Sequence, residues 1–151
     1  VIMKEYTHCI WRLMKGGGKY TQISDYYVLS TAVRDDHHNE VTTVSEEEMH
    51  IIMKKWISTK GPVAVSMTTY TSLRDLEPNE VYRPRGNDAT GPGAHAVCII
   101  GYDDEKRAWL IKNSWGTGWA DQGFGWIGYG ECNIDKAGHM IGIQGFQKVT
   151  F

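Results

Sequence analysis

The fold of this chain is constrained most by two apolar runs that are joined by a charged turn. The first run, residues 93–102, carries His95 near its start, and the second, residues 108–116, carries Asn113 near its end. The turn between them, residues 103–107, is polar enough to be exposed. The pattern predicts two antiparallel strands that fold back at the middle of that turn. We therefore expect His95 to lie opposite Asn113 or one diagonal step from it. An imidazole held by a side-chain amide is the base half of a nucleophilic site.

Length and charge narrow the class of protein. The chain of 151 residues is long enough for one full core, and its 41% hydrophobic and 23% charged residues are ordinary for a globular protein. A net charge of −2 gives no reason to expect binding to nucleic acid or to an acidic membrane surface. No apolar run approaches the length of a membrane span.

The clearest helix covers residues 45–59. Ser45 can cap it, and Glu48 three residues later completes a capping box. The residues Met49, Ile52, Met53, Trp56 and Ile57 fall on one face at helical spacing. A Gly-Pro pair after residue 60 ends the helix.

The rest of the chain indicates short strands. A loose alternation marks residues 20–29, and further strands are expected near 63–67, 80–83, 124–129 and 134–151, besides the two central runs. Residues 68–79 and 85–92 are expected to be loops, the former with a short helical turn. About six strands and one helix predict an α+β fold, mainly an antiparallel barrel or sandwich covered by one helix.

A metal site is one interpretation of residues 35–39, which carry His37 and His38 beside two aspartates. Adjacent histidines on a loop, without a spaced third ligand, seldom form a closed site. The sequence therefore predicts no metal and no other cofactor, and a solvated loop is the favoured interpretation.

Several motifs occur in a fixed order: Gly-Pro-Val-Ala-Val from residue 61, Val-Tyr at 81, Gly-Ala-His-Ala-Val from 93, Asn-Ser-Trp-Gly-Thr-Gly-Trp from 113, and Gly-Phe at 123. Together they closely resemble the C-terminal half of papain-like cysteine peptidases. The run Glu-Cys-Asn-Ile-Asp from residue 131 is similar to an element of the cathepsin B and cathepsin C branches. The resemblance implies a papain-like fold and hydrolysis of peptide bonds in peptide or protein substrates.

The resemblance also implies roles for individual residues. His95 would be the general base and the imidazolium partner of a catalytic thiolate. Asn113 would accept a hydrogen bond from the imidazole and fix its tautomer. Trp115 would cover the contact between these two side chains, and Trp119 would form the floor of the leaving-group side of the cleft.

Three small residues, Ser66, Ala96 and Ala137, would line the pocket for the substrate side chain two positions before the cleaved bond. Their size would leave room for a bulky apolar side chain. For Ser66 and Ala137 an ordinary core position is an equally good interpretation.

The family's nucleophile motif is not found. Cys9 is the sole cysteine well before His95, but no glutamine precedes it and no amphipathic helix follows it. The resemblance favours a disulfide from Cys9 to sequence outside this chain. Cys98 should point to the face opposite His95 and be buried, and Cys132 should be buried and free.

The chain is therefore expected to be a C-terminal portion or heavy chain of a two-domain peptidase. Residues 1–40 would be a remnant of the helical domain, and residues 41–151 would be the β-barrel domain with the catalytic His95 and Asn113. The nucleophile portion of the same precursor would be its partner. A lysosomal, vacuolar or secreted location follows from the resemblance alone. The alternative is a non-catalytic module that keeps the fold for binding or for a structural role.

Overall fold

The computed structural model describes residues 20–30, 33–34, 40–41, 44–136 and 140–149. Cys9, Ala137 and the loop of residues 35–39, on which three of the expectations rest, lie outside the described residues.

The predicted helix is confirmed as α1, Glu46–Thr59. The Ser45 hydroxyl accepts a hydrogen bond from the Glu48 amide at 3.2 Å, and the Glu48 carboxylate accepts one from the Ser45 amide at 3.0 Å. This capping box satisfies backbone donors that have no partner within the helix. The Ser45 amide, and then the Ser45 hydroxyl at 2.9 Å, donate to the Glu48 carboxylate and hold its pKa below its usual value. The helix turns Met49 and Met53 into the core, where they are almost completely buried.

The part of the chain that the structure describes contains nine strands, which are, in chain order, β1 (Tyr20–Ser30), β2 (Val33–Arg34), β3 (Glu40–Val41), β4 (Val63–Tyr70), β5 (Val81–Tyr82), β6 (Thr90–Asp103), β7 (Ala108–Lys112), β8 (Phe124–Gly128) and β9 (Met140–Val149). Seven of them form one sheet in the order β1-β9-β4-β6-β7-β8-β5, and β2 pairs with β3 separately. Neighbours in the large sheet are antiparallel except β5 and β8, which are parallel. The predicted α+β class, mainly antiparallel with one helix, is confirmed.

Some elements differ from the expectation. β6 begins at Thr90, so the end of the expected loop at 85–92 is already strand. β4 continues to Tyr70 and is followed by a 3₁₀ helix, Thr71–Asp75. The two-residue strands β2 and β3 were not foreseen, because such short pairs have no hydrophobic period.

The expected domain boundary after residue 40 does not coincide with an edge of the sheet. β1 pairs with β9 from Tyr20, opposite Val149, to Ser30, opposite Met140. Residues 20–30 are thus the end strand of the same sheet that contains His95.

A β-bulge in β6 sets the register of the central hairpin. Gly101 pairs with Leu110, but Ile99 pairs with Ile111, so one extra residue of β6 lies between these pairs. Without the bulge, Asn113 would fall opposite Cys98 and point to the wrong face, because side chains alternate along a strand. With the bulge, the register continues to place Asn113 across from Val97, on the same face as His95.

The two faces of the sheet are packed unequally. The face toward α1 carries the main core, to which strands β4, β6, β7 and β8 contribute the buried residues Val63, Val65, Met67, Val97, Ile99, Trp109, Ile111 and Ile127. The opposite face has a small cluster of Ala64, Cys98 and Ile143. His95 stands at the end of the core face, where the main core gives way to solvent.

Among the residues described, no helix combines the length and apolar character needed to cross a bilayer. The same described ranges contain no group of three or more His, Cys, Asp or Glu side chains arranged to hold a metal ion.

Candidate active site

His95, in the first half of β6, meets Asn113, which directly follows the last residue of β7. The His95 Nε2 atom lies 2.9 Å from Asn113 Oδ1. His95 is half-buried and Asn113 is 4% exposed. The bulge in β6 makes this a diagonal contact, the second of the two arrangements that the sequence predicts.

The orientation of the Asn113 amide follows from its other partner. Asn113 Oδ1 also accepts a hydrogen bond from the Ser114 backbone amide at 2.7 Å. A backbone N–H can only donate, so the atom that faces it must be the amide oxygen. That oxygen can meet His95 Nε2 only if the imidazole is protonated there. In the neutral ring, Nδ1 then carries the lone pair and can accept a proton.

The Asn113 amide is also held through its backbone. Its N–H donates to the Gly123 carbonyl at 2.9 Å. Its Nδ2 is buried and has no hydrogen-bond partner among the described residues. Gly123 has a φ of +89°, and a Cβ there would lie 2.8 Å from the Gly116 carbonyl oxygen, so only glycine fits this turn without strain.

Trp115 covers the imidazole. Its ring stacks on His95 with centroids 5.1 Å apart and an interplanar angle of 26°. The indole therefore covers one face of the imidazole, and its role in keeping water from the His95–Asn113 hydrogen bond stays a prediction. Trp115 itself remains 36% exposed, so the pair lies under a thin cover and not in the core.

Trp119 supports Trp115 from below. The two rings meet edge to face, with centroids 5.6 Å apart and an interplanar angle of 82°. The Trp119 indole N–H donates to the Leu73 carbonyl at 2.9 Å, and the side chain is 6% exposed. A Cβ at Gly125 would lie 2.7 Å from the Trp119 ring, so the close approach of Trp119 to β8 requires glycine.

Ser66 and Ala96 are register partners on β4 and β6, and both are half-buried. They lie on the face opposite His95, because Ala96 is its direct neighbour in β6. The structure therefore places them together, next to the candidate site in sequence but on the other face of the sheet. Their role as pocket residues stays a prediction.

The two described cysteines lie where the sequence predicts. Cys98 is fully buried in the small cluster on the face opposite His95. Cys132 is a buried free cysteine, and burial, followed by the charges of Glu131 and Asp135, raises the pKa of its thiol to about 12. A thiol that holds its proton so firmly is a poor nucleophile.

Two features were missed at the sequence level. Arg74, in a stretch expected to be a polar loop, places its guanidinium carbon 5.5 Å from the centroid of the Trp115 ring. His50 Nε2 lies 2.7 Å from the fully buried Asp135 carboxylate, which also accepts from the Trp109 indole at 2.9 Å and the Gly130 amide at 2.8 Å. Neither pairing has a local sequence signal, because each joins segments far apart in the chain.

Comparisons with known proteins show the family of this chain. Residues 12–141 match the family described as papain family cysteine protease. The chain is 28% identical to mouse cathepsin S over 131 residues, and 30% identical to a gut-specific cysteine proteinase of Caenorhabditis elegans over 112 residues. Each match covers 72% of this chain, but 38% and 33% of those relatives. The chain belongs to the papain family of cysteine proteases.

Solved structures support the same fold. Xylellain, a cysteine protease from Xylella fastidiosa, matches 83% of this chain at a TM-score of 0.54 and 27% identity, and 41% of its own chain is covered. Digestive procathepsin L2 of Tenebrio molitor matches 82% at a TM-score of 0.55 and 26% identity, with 34% of its chain covered. The chain thus spans well under half the length of these relatives. Relatives with cathepsin L-like and with cathepsin B-like names both match, so the branch suggested by residues 131–135 stays a prediction.

Proposed function

We propose that this chain supplies the base and orienting residues of a papain-like cysteine peptidase, whose nucleophilic cysteine lies in sequence outside residues 1–151. The observation that carries the proposal is the double use of Asn113 Oδ1, which accepts from Ser114 and from His95. This arrangement fixes the tautomer that a general base needs and leaves Nδ1 for the proton of the thiol. No described residue hydrogen-bonds that nitrogen.

The chemistry proceeds in two halves. The Nδ1 atom of His95 takes the thiol proton, and the thiolate attacks the carbonyl carbon of the substrate peptide bond. The imidazolium then donates that proton to the leaving amine as the C–N bond breaks, and a thioester remains. In the second half, Nδ1 removes a proton from water, the hydroxide attacks the thioester, and the thiol leaves with its proton restored.

The side chains around the pair have supporting roles. Asn113 keeps the ring in plane for both proton transfers without a charge of its own. Trp115 keeps water from competing for the His95–Asn113 hydrogen bond, and Trp119 holds Trp115 in place. Ser66 and Ala96, with Ala137, would border the pocket for an apolar substrate side chain on the acyl side.

The wider assembly is part of the proposal. The helical domain with the nucleophile would close over the exposed Trp115, and a disulfide from Cys9 would join the two portions. The division between the helical remnant and the β domain would fall before Tyr20, because β1 belongs to the sheet. A lysosomal, vacuolar or secreted location accords with such an enzyme.

The second candidate is a papain-fold module without catalysis. It is consistent with the same sheet and with the covered lengths of the relatives. It gives no reason for a histidine in the first half of β6 to keep an open ring nitrogen, which favours the peptidase.

The decisive experiment labels the full-length protein with a thiol-reactive peptidyl epoxide. We expect one cysteine outside residues 1–151 to be labelled, and His95→Ala to abolish labelling because the thiolate loses its imidazolium partner. His50→Gln is the matched control, because glutamine can still donate to Asp135, and it should label at the wild-type rate. Labelling that persists in His95→Ala, or a serine or glycine at the nucleophile position, would refute the peptidase proposal.

A further inference from the structure

Arg74 is an exposed cation beside the candidate catalytic pair and belongs to none of the ion pairs among the described residues. Its guanidinium carbon lies 5.5 Å from the Trp115 ring centroid, and that ring stacks on His95 at 5.1 Å. Arginine, indole and imidazole thus form a chain of contacts across the site. Together the two distances mean that the Arg74 guanidinium carbon lies at most about 11 Å from the centroid of the His95 ring.

The position of Arg74 is fixed by its neighbours. It belongs to the 3₁₀ helix Thr71–Asp75, in which Leu73 is fully buried. The Leu73 carbonyl accepts from the Trp119 indole at 2.9 Å, and Leu76, just after the helix, is also buried. These anchors on both sides hold the backbone at Arg74, and the guanidinium lies over the Trp115 ring.

The other side of the same helix is also tied down. The Ser72 hydroxyl donates to the Asp88 carboxylate at 2.6 Å and lies 2.8 Å from the Tyr82 hydroxyl. Asp88 further accepts from the Arg85 amide at 2.8 Å. The Ser72 hydroxyl and then this amide hold the pKa of Asp88 below its usual value, so this carboxylate already has its partners.

Arg74 has no carboxylate partner in the part of the chain that the structure describes. None of the ion pairs there includes it, and its side chain is exposed. Its neighbour Asp75 projects about 120° away around the 3₁₀ turn, which has about three residues per turn. Five N–H donors in a planar fork are therefore available beside the site, and that geometry suits a carboxylate.

We infer that Arg74 determines specificity on the leaving-group side by binding a carboxylate of the substrate. This inference rests on the proposed peptidase function. The acyl-side pocket residues Ser66 and Ala96 lie on one face of the sheet, whereas Trp115 and Arg74 lie with His95 on the other. The leaving portion of a peptide that passes His95 therefore runs toward Arg74. An extended chain advances at most about 3.5 Å per residue, so 11 Å corresponds to the first three residues after the cleaved bond.

The carboxylate has two possible sources, a Glu or Asp side chain or the C-terminus of a short leaving peptide. Both present the same two oxygens to the guanidinium. The assay therefore uses quenched fluorescent peptides with one common acyl side. One series carries Glu or Gln at each of the first three leaving-side positions. A second pair ends two residues after the cleaved bond in a free carboxylate or an amide.

The full-length protein should cleave the best Glu peptide about two- to fivefold faster than its Gln twin in kcat/KM, the size expected of an exposed ion pair. Arg74→Gln should bring the ratio to about one, and Arg74→Glu should invert it. High salt should reduce the wild-type ratio, because exposed charges are screened. Arg107→Gln, an exposed arginine in the turn at the far end of the β6–β7 hairpin, is the control and should keep the wild-type ratio. If the preference appears in the second pair alone, the source is the substrate C-terminus.

A binding measurement separates this inference from the proposed function. The dissociation constants of the same peptides are measured on the full-length His95→Gln protein, with and without Arg74→Gln. If the protein with His95 intact cleaves no peptide, but the preference for Glu in binding is lost on Arg74→Gln, the peptidase proposal fails and this inference stands. If the wild-type protein cleaves the peptides but Arg74→Gln leaves the ratios between Glu and Gln peptides unchanged, the inference is wrong. It is also wrong if no peptide is bound or cleaved.

Discussion

Two described histidines place Nε2 against a buried side-chain oxygen, and they lie toward opposite ends of β7. His95 meets Asn113 just after the strand, at 2.9 Å. His50, from α1, meets Asp135 at 2.7 Å near Trp109, the second residue of the strand. Both oxygens accept a backbone N–H as well, so each ring has a fixed acceptor.

The acceptors differ in charge and the rings differ in access. Asn113 offers a neutral amide, whereas Asp135 offers a fully buried carboxylate with three N–H donors around it. Trp115 lies flat on His95 at an angle of 26°, whereas Trp109 meets His50 edge-on at 88°. Tyr129 also packs on His50, with ring centroids 4.9 Å apart, and contacts Trp109 at 4.7 Å, so the three rings pack against one another.

The His95–Asn113 pair therefore suits proton transfer, whereas the His50–Asp135 pair suits a structural role. A neutral amide orients an imidazole but does not hold its proton by charge, so the ring can gain and lose that proton in turn. A buried carboxylate needs its donors to remain in place, and their removal leaves an uncompensated charge. We therefore expect changes at the first pair to affect rate and changes at the second pair to affect stability.

Replacement of the two histidines by glutamine tests this contrast most strongly. Glutamine keeps an N–H donor but cannot carry a proton between groups. In the full-length protein, His95→Gln should lower kcat/KM by about 10³- to 10⁴-fold, with an unchanged melting temperature. His50→Gln should keep kcat/KM within about threefold. Steady-state kinetics and thermal unfolding of both variants give the answer, and a comparable loss of activity in both would remove the distinction.

Truncation of Asp135 should produce the largest loss of stability. Asp135→Ala leaves the His50 ring, the Trp109 indole and the Gly130 amide without their acceptor. The free energy of unfolding should fall by about 3 to 5 kcal/mol, measured by urea denaturation of the full-length protein. Asp75→Ala, at an exposed aspartate, should change it by less than about 0.5 kcal/mol. A loss below about 1 kcal/mol at Asp135 would show that the cluster is not structural.

Asn113→Asp would give His95 a carboxylate acceptor, as His50 already has in Asp135. Asn113→Ala should reduce kcat/KM by up to about 100-fold, because the imidazole loses its orientation. Asn113→Asp should keep the orientation but stabilise the imidazolium by its negative charge, and the thiolate is the partner of that imidazolium. The alkaline limb of the pH–rate profile should therefore move to higher pH in Asn113→Asp and not in Asn113→Ala. Identical profiles would mean that the charge of the acceptor is irrelevant.

The parts that the sequence predicts are those with local causes. The helix α1 follows from its capping box and from the spacing of Met49 and Met53, and the β6–β7 hairpin follows from its charged turn. The contact of His95 with Asn113 also follows, since two strands joined by a short turn leave few registers. Only the bulge between Ile99 and Gly101 decides which register forms.

The parts that the sequence misses join distant segments. The parallel pairing of β5 with β8 and the pairing of β1 with β9 depend on tertiary packing, which no local pattern encodes. Asp135 stands in a motif, but nothing near it predicts His50, 85 residues earlier, as its partner. The stacking of Arg74 on Trp115 is missed for the same reason.

The smallest effect concerns Cys132, because the pKa of its thiol shows how well water is excluded from the end of β7 near Asp135. Burial, then the charges of Glu131 and Asp135, raises its pKa from 9.0 to about 12. The folded state therefore holds a proton that the unfolded state releases. The resulting stabilisation is complete below pH 9 and is lost as the pH rises from about 9 toward 12. At pH 10.5 the native protein should show the same thiolate absorbance as native Cys132→Ser, and on unfolding its absorbance should rise by one thiolate more than that of Cys132→Ser. Glu131→Gln should move the native titration to lower pH, because one nearby negative charge is removed. A native thiol that titrates near pH 9 would show that water reaches this end of β7 as it reaches Trp115.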